Sequence, residues 1–192
     1  MGFDSTQGGK DRAGVDSTQL PYVSELLNSV RAYNFECIFD LPNGVEDNNY
    51  LRIAAKQVTV PGHNIEEIAV NRFNDTLYYP GKVKKEDLKI VFDDTYEKGI
   101  SVTLFEWFKT IYDPITGIAA ANATTGGGRT PQFKARSLKI ISLDGAGAPI
   151  YETLYYGVWP KSWKGAEFNY TTNEFHTIEV TFAYDFMDHV QA

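Results

Sequence analysis

The run from His176 to Phe186 alternates without a break. His176, Ile178, Val180, Phe182, Tyr184 and Phe186 fall on one side of an extended chain, and Thr177, Glu179, Thr181, Ala183 and Asp185 on the other. A helix would scatter these apolar residues around its circumference, so the period of two specifies a β-strand with one buried face. One such strand needs partners. Tyr151 to Trp159 is a second run rich in Tyr, Leu and Val, and Pro160, which has no N–H to give to a ladder, predicts its end. Ile150 to Met187 is therefore expected to be the framework of a sheet, two long strands joined by an aromatic, Gly-containing connection.

The remaining segments read as partners for this framework. Phe35, Cys37 and Phe39 alternate within Asn34 to Asp40 and predict a strand. Leu51 to Val60 and Ile65 to Asn71 are expected to be extended, separated by the turn signal Pro61-Gly62. Arg72 to Glu86 carries a second Pro-Gly pair at Pro80-Gly81 and sets Phe73, Leu77, Tyr78 and Tyr79 among polar residues, which predicts a protruding loop or hairpin. Leu88 to Phe92 and Phe133 to Leu143 read as strands, the latter turned by Asp144-Gly145 through Pro149 into the strand that follows. Val23, Leu26, Leu27 and Val30 have the spacing of a short amphipathic helix. One longer helix is expected over Tyr96 to Tyr112, started by Asp93-Asp94-Thr95 and stopped by Asp113-Pro114, with Ile100, Leu104, Phe108 and Ile111 as its apolar stripe, widened by Phe105 and Tyr112. Residues 1–19 are expected to be a polar arm, 20–192 a single domain, and 117–131 an insertion-like Gly/Ala/Thr loop.

Composition narrows the function. The chain has 192 residues, a net charge of −7, 12 Tyr and 12 Phe; that size suits one domain, and the acidic balance argues against gripping phosphates. Cys37 is the single cysteine and alternates with phenylalanines, as a buried small hydrophobe does. His63, His176 and His189 lack metal-site spacing, and Gly126-Gly127-Gly128-Arg129 lacks the Lys-Ser/Thr of a phosphate loop. The neighbouring carboxylates Glu66-Glu67 and Asp93-Asp94 point to opposite faces of a strand or act as caps. No run is apolar enough for a membrane span or a signal-peptide core, so synthesis in the cytoplasm is the expectation. No catalytic residue, cofactor or metal is expected, and none of these features points to an enzyme.

What the pattern leaves over is exposed aromatic material, which marks contacts with other chains more often than it serves a monomer. Phe73, Leu77, Tyr78, Tyr79, Trp159 and Trp163 are the contact candidates. A different class stays open: Trp159, Trp163, Tyr170 and the tyrosines of 151–156 lining a sugar-binding groove on a monomeric β-sandwich.

Gly157-Val158-Trp159-Pro160, followed after a connection by Asn173-Glu174-Phe175 and by Thr177-Ile178-Glu179-Val180-Thr181-Phe182-Ala183-Tyr184-Asp185-Phe186, resembles the C-terminal signature of tail tube proteins of contractile-tailed (myovirus-type) bacteriophages. A looser similarity covers Ala55 to Asp94. The long N-terminal arm, the extended Lys82 to Glu86 segment and the Gly117 to Thr130 loop depart from the family pattern. The resemblance implies a mainly β subunit, a β-sandwich or open barrel with a flanking α-helix, contributing strands to an inter-subunit β-barrel of a hexameric ring. It implies rings stacked into a tube inside a contractile sheath, in a virion tail made in the host cytoplasm, with sheath and baseplate proteins as partners. Genomic DNA would pass through the lumen without specific binding, and Thr177, Glu179 and Thr181 would face that lumen or a neighbour. Close alternatives are a tube subunit or tube initiator of a related contractile injection or type VI secretion-like device.

Overall fold

The computed structural model describes residues 30, 32–42, 45, 50–95, 99–119, 133–165, 168, 170–171 and 175–191. The expected arm at 1–19, most of the helix expected around Val23 to Val30, and loop residues 120–131 lie outside the described residues. Thirteen elements follow in chain order: β1 (Phe35–Asp40), α1 (Tyr50–Ala54), β2 (Ala55–Thr59), β3 (His63–Arg72), β4 (Asp75–Lys85), β5 (Leu88–Asp93), α2 (Ile100–Lys109), β6 (Tyr112–Asp113), β7 (Ile118–Ala119), β8 (Ala135–Leu143), β9 (Pro149–Gly165), β10 (Thr177–Ala183) and β11 (Phe186–Gln191). The chain is mainly β with a flanking helix, as its alternation demanded.

β9 organises the sheet. Its first half pairs with β8 on one side and β11 on the other, and its second half pairs with β10, giving the order β1-β8-β9-β10-β5-β2 with β11 beside β9. All these pairings are antiparallel. The two halves face each other across one core: Phe39 of β1 lies 6.0 Å from Phe92 of β5 and 6.2 Å from Phe182 of β10, centroid to centroid. Each strand sends alternate residues there, Cys37 and Phe39 from β1, Leu88, Ile90 and Phe92 from β5, Ile178, Val180 and Phe182 from β10. α2 covers this core with Ile100, Leu104 and Trp107.

Five expectations change. Leu51–Val60 is extended only from Ala55: Tyr50–Ala54 is α1, where Leu51 and Ala54, three apart, are buried. β9 does not stop at Pro160 but runs to Gly165, because the register shifts between Thr181↔Ser162 and Phe182↔Pro160, and a bulge accommodates a residue with no N–H. The terminal alternating run is two strands, β10 and β11, parted at Tyr184-Asp185, and Phe186 is exposed rather than buried. α2 is shorter than Tyr96–Tyr112; residues 96–98 lie outside the described residues, Gly99 is its N-cap, and the helix ends at Lys109 before Asp113-Pro114. Its buried stripe is Ile100, Leu104 and Trp107, with Phe108 only partly buried and Ile111 beyond the helix end. Asp94 still serves the entry to α2, its Oδ1 accepting from the Ser101 N–H at 3.5 Å.

Candidate functional site

Two features of the chain end in solvent. The first is the β3–β4 hairpin, a separate two-stranded sheet in which every residue of β3 is exposed. At about 3.3 Å per residue its ten-residue strand spans roughly 33 Å. Ile68 pairs with Tyr79 and Val70 with Leu77, so these four share one face, while Tyr78 opposite Ala69 occupies the other. Tyr78 is 64% exposed and Tyr79 51%, on a hairpin that would be marginal by itself. The sequence placed Phe73, Leu77, Tyr78 and Tyr79 in a protrusion, and the structure brings all four together on this arm.

Its tip is the turn Phe73-Asn74, closed by the Arg72–Asp75 pair. Phe73 has φ +54°, a left-handed conformation that a bulky residue rarely adopts, and its side chain is fully exposed. Phe73→Gly is expected to leave the hairpin as stable or up to about 1 kcal/mol more stable, since the strain relieved outweighs the flexibility introduced. Hydrogen exchange of the hairpin amides checks this; faster exchange in the variant would show that the phenylalanine holds the turn.

The second feature is a pair of unpaired strand edges. The half-sheet β9-β10-β5-β2 has β2 at one margin and the Trp159–Gly165 stretch of β9 at the other, since β8 stops pairing at Val158. Among the described residues no strand covers either edge. Its faces are distinct: Ile178, Val180 and Phe182 look into the core, whereas Thr177, Glu179 and Thr181 look outward beside Lys89, Val91 and Asp93 of β5. Lys164 stands opposite Glu179 and Lys56 pairs with Asp93 at 3.2 Å, so this outer face carries both signs of charge.

The signature residues meet at the joint between β10 and β11. Gly157 has φ +65°, and a Cβ there would lie 2.3 Å from Oδ2 of Asp185. That carboxylate receives Lys134 Nζ at 2.8 and 2.6 Å, and the Asp185 N–H donates to the Tyr156 carbonyl at 2.9 Å. Lys85, at the end of β4, donates to the Asp185 carbonyl, with its ammonium 5.5 Å from the Phe186 ring centre. The joint thus ties the base of the hairpin arm to both half-sheets. Sequence reasoning quoted Gly157 and Asp185 as signature residues without pairing them, and it did not identify Lys134 or Lys85.

Trp159 and Trp163 are not brought together. Trp159 pairs with Ala183 and Trp163 with Val180, which places them on opposite faces of β9. Trp159 packs edge-on to Phe133 at 6.2 Å, and Trp163, 43% exposed, lies 6.0 Å from Phe105 of α2. A single sugar-binding groove shared by both rings is not formed. The histidines are equally scattered, His63 near Tyr184, His176 3.4 Å from Asp94, and His189 2.9 Å from Thr153; among the described residues no cluster of potential metal ligands occurs. Burial above all pushes the Cys37 thiol up to about 12, with Glu36 adding to it, so this thiol is inert.

Solved structures share this architecture. A chain of the sheath–tube complex of an extracellular contractile injection system (PVC) in its extended state matches 93% of this chain and 99% of its own at TM-score 0.64 and 14% identity. The fold is similar to that of chains from contractile injection systems. A chain from the anti-feeding prophage tube-terminating cap matches at TM-score 0.62 and 14% identity, covering 85% of this chain and 92% of its own. One from the 6-fold symmetrised baseplate of the same particle matches at 0.60 and 10%, covering 84% and 95%. No protein-family model and no curated protein matches the sequence.

Proposed function

We propose that this chain is a structural, non-catalytic tube subunit of a contractile injection device, assembling into rings that stack within a sheath. The observation that carries the proposal is the half-sheet β9-β10-β5-β2, both of whose margins are unpaired among the described residues. Such edges recruit other chains unless they are covered, and closing a barrel through neighbours removes them. The strands alternate in direction and number four, so β2 of one copy meets β9 of the next antiparallel, and rotation about a ring axis repeats the join indefinitely. The bulk of each subunit lies on the core side of this half-sheet and cannot fit inside the barrel. Its bare face, with Thr177, Glu179 and Thr181, therefore lines the lumen.

The similarity to chains from a sheath–tube complex, a cap and a baseplate supports a tube role with sheath and baseplate as partners. A virion tail that ejects DNA is the narrower, phage-specific form of the same proposal. The hairpin arm, too long to serve its own core, reaches the adjacent ring.

Electron microscopy of the purified chain tests the proposal: long hollow filaments are expected, and a uniformly monomeric protein would overturn it. Tyr78→Ala combined with Tyr79→Ala is expected to shorten filaments into single rings at unchanged circular dichroism. Loss of folding would instead show that the hairpin supports the subunit's own fold and would overturn its role between rings.

A further inference from the structure

Beside the edge of β2 lies a mainly apolar groove of about 790 Å³, whose lining includes Phe35, Val58, Val60 and Tyr151 together with the polar Lys56 and Gln57. It opens between the start of β1 and the length of β2, the two margins of the sheet. Val58 pairs with the buried Ile90 and so sits on the core side of β2; Gln57 and Thr59, on either side of it, turn to the bare face. Any strand added to the edge of β2 will direct its own core-side residues into this groove.

The opposite margin of the half-sheet supplies a fitting residue. Trp163 shares the core side of β9 with Val180, its partner on β10, whereas Ser162 and Lys164 take the bare side with Thr181 and Glu179. The indole nevertheless remains 43% exposed, because among the described residues no further strand lies beyond this part of β9 to cover it. A tryptophan at the margin of a core and an apolar groove at the opposite margin are complementary only between two copies.

We propose that Trp163 of one copy inserts into the β1–β2 groove of the next and is the principal anchor of the lateral contact. This inference rests on the tube proposal and specifies where its binding energy lies. A heterologous contact of this kind repeats from copy to copy and closes only as a ring. Tryptophan set in a desolvated pocket is the side chain that most often dominates an interface, and the antiparallel ladder around it would fix register and exclude water.

Two measurements on the full chain test it. Thr59→Cys together with Ser162→Cys places one thiol at each margin on the bare face, outside the groove. Within one chain these strands stand three spacings apart, roughly 14 Å, so a shorter bismaleimide links only different copies. The native Cys37 is fully buried and does not compete. The expected product is a ladder of covalent multimers. In the second measurement, Trp163→Ala raises the concentration needed for assembly at least tenfold and Trp163→Tyr recovers most of it, with circular dichroism unchanged.

A ladder with unaltered assembly of Trp163→Ala overturns the anchor while keeping the edge join. Rings without a ladder overturn this lateral contact and leave the tube proposal standing. A monomer with no ladder removes both.

Discussion

Replacing Trp107 with alanine is expected to cost about 3–5 kcal/mol of stability, the range for emptying an aromatic site in a packed core. Trp107 is fully buried, its ring lies 5.5 Å from Phe182, and its Nε1 donates to the Phe133 carbonyl at 2.8 Å. Truncation therefore opens a cavity between α2 and β10 and strips a carbonyl of its partner, two losses that add. For a chain of this length the midpoint should fall by roughly 2–4 °C for each kcal/mol. Trp107→Phe keeps most of the ring and loses the hydrogen bond, so about 1–2 kcal/mol is expected. Thermal and urea unfolding of both variants read the effect, and a loss under 1 kcal/mol for the alanine variant would mean that α2 does not seal the core.

Trp107 also shows where a sequence stops being informative. Phe105, Trp107 and Phe108 are all apolar, so helical spacing admits neighbouring stripes, and the one containing Phe108 fits the period equally well. What decides between them is the carbonyl of Phe133, far along the chain, which can accept from an indole N–H. Strands with one wet face had no such ambiguity: β1, β5 and β10 were legible because a one-residue slip would expose Cys37, Ile90 or Val180. Pro160 misled for a related reason. Its missing N–H was visible, but the bulge that makes the omission harmless belongs to the pairing of β9 with β10. The hairpin arm was legible as exposed aromatics between two Pro-Gly signals. Which margins lack partners was not, since edges are a property of strand order, and the order places β9 between β8 and β10 by contacts distant in sequence.

Gly157→Ala is expected to be the most damaging single methyl that can be added near the assembly surface, at about 2–4 kcal/mol. The left-handed φ of +65° costs an L-residue about 1–2 kcal/mol. The new Cβ also falls 2.8 Å from Cγ of Asp185, so the carboxylate must leave its seat beside Lys134. That pair is half-buried, with Lys134 17% and Asp185 41% exposed, so its loss contributes less than a fully buried pair would. A double-mutant cycle separates the two causes. In an Asp185→Ala background the collision with the carboxylate is gone, leaving backbone strain and a tight 3.2 Å contact with the Cβ of residue 185, so the cost of Gly157→Ala should fall towards about 1–2 kcal/mol, whereas strict additivity would show that the carboxylate collision contributes nothing. The cycle bears on assembly as well as stability. Asp185 is also where Lys85 anchors the base of the hairpin, so a displaced Asp185 leaves an arm that is intact but misdirected. Lys85→Ala, which removes the donor to the Asp185 carbonyl and keeps the Asp185–Lys134 pair, should then form shorter filaments than the parent chain while its sheet remains folded, a result that ties the direction of the arm to this one contact.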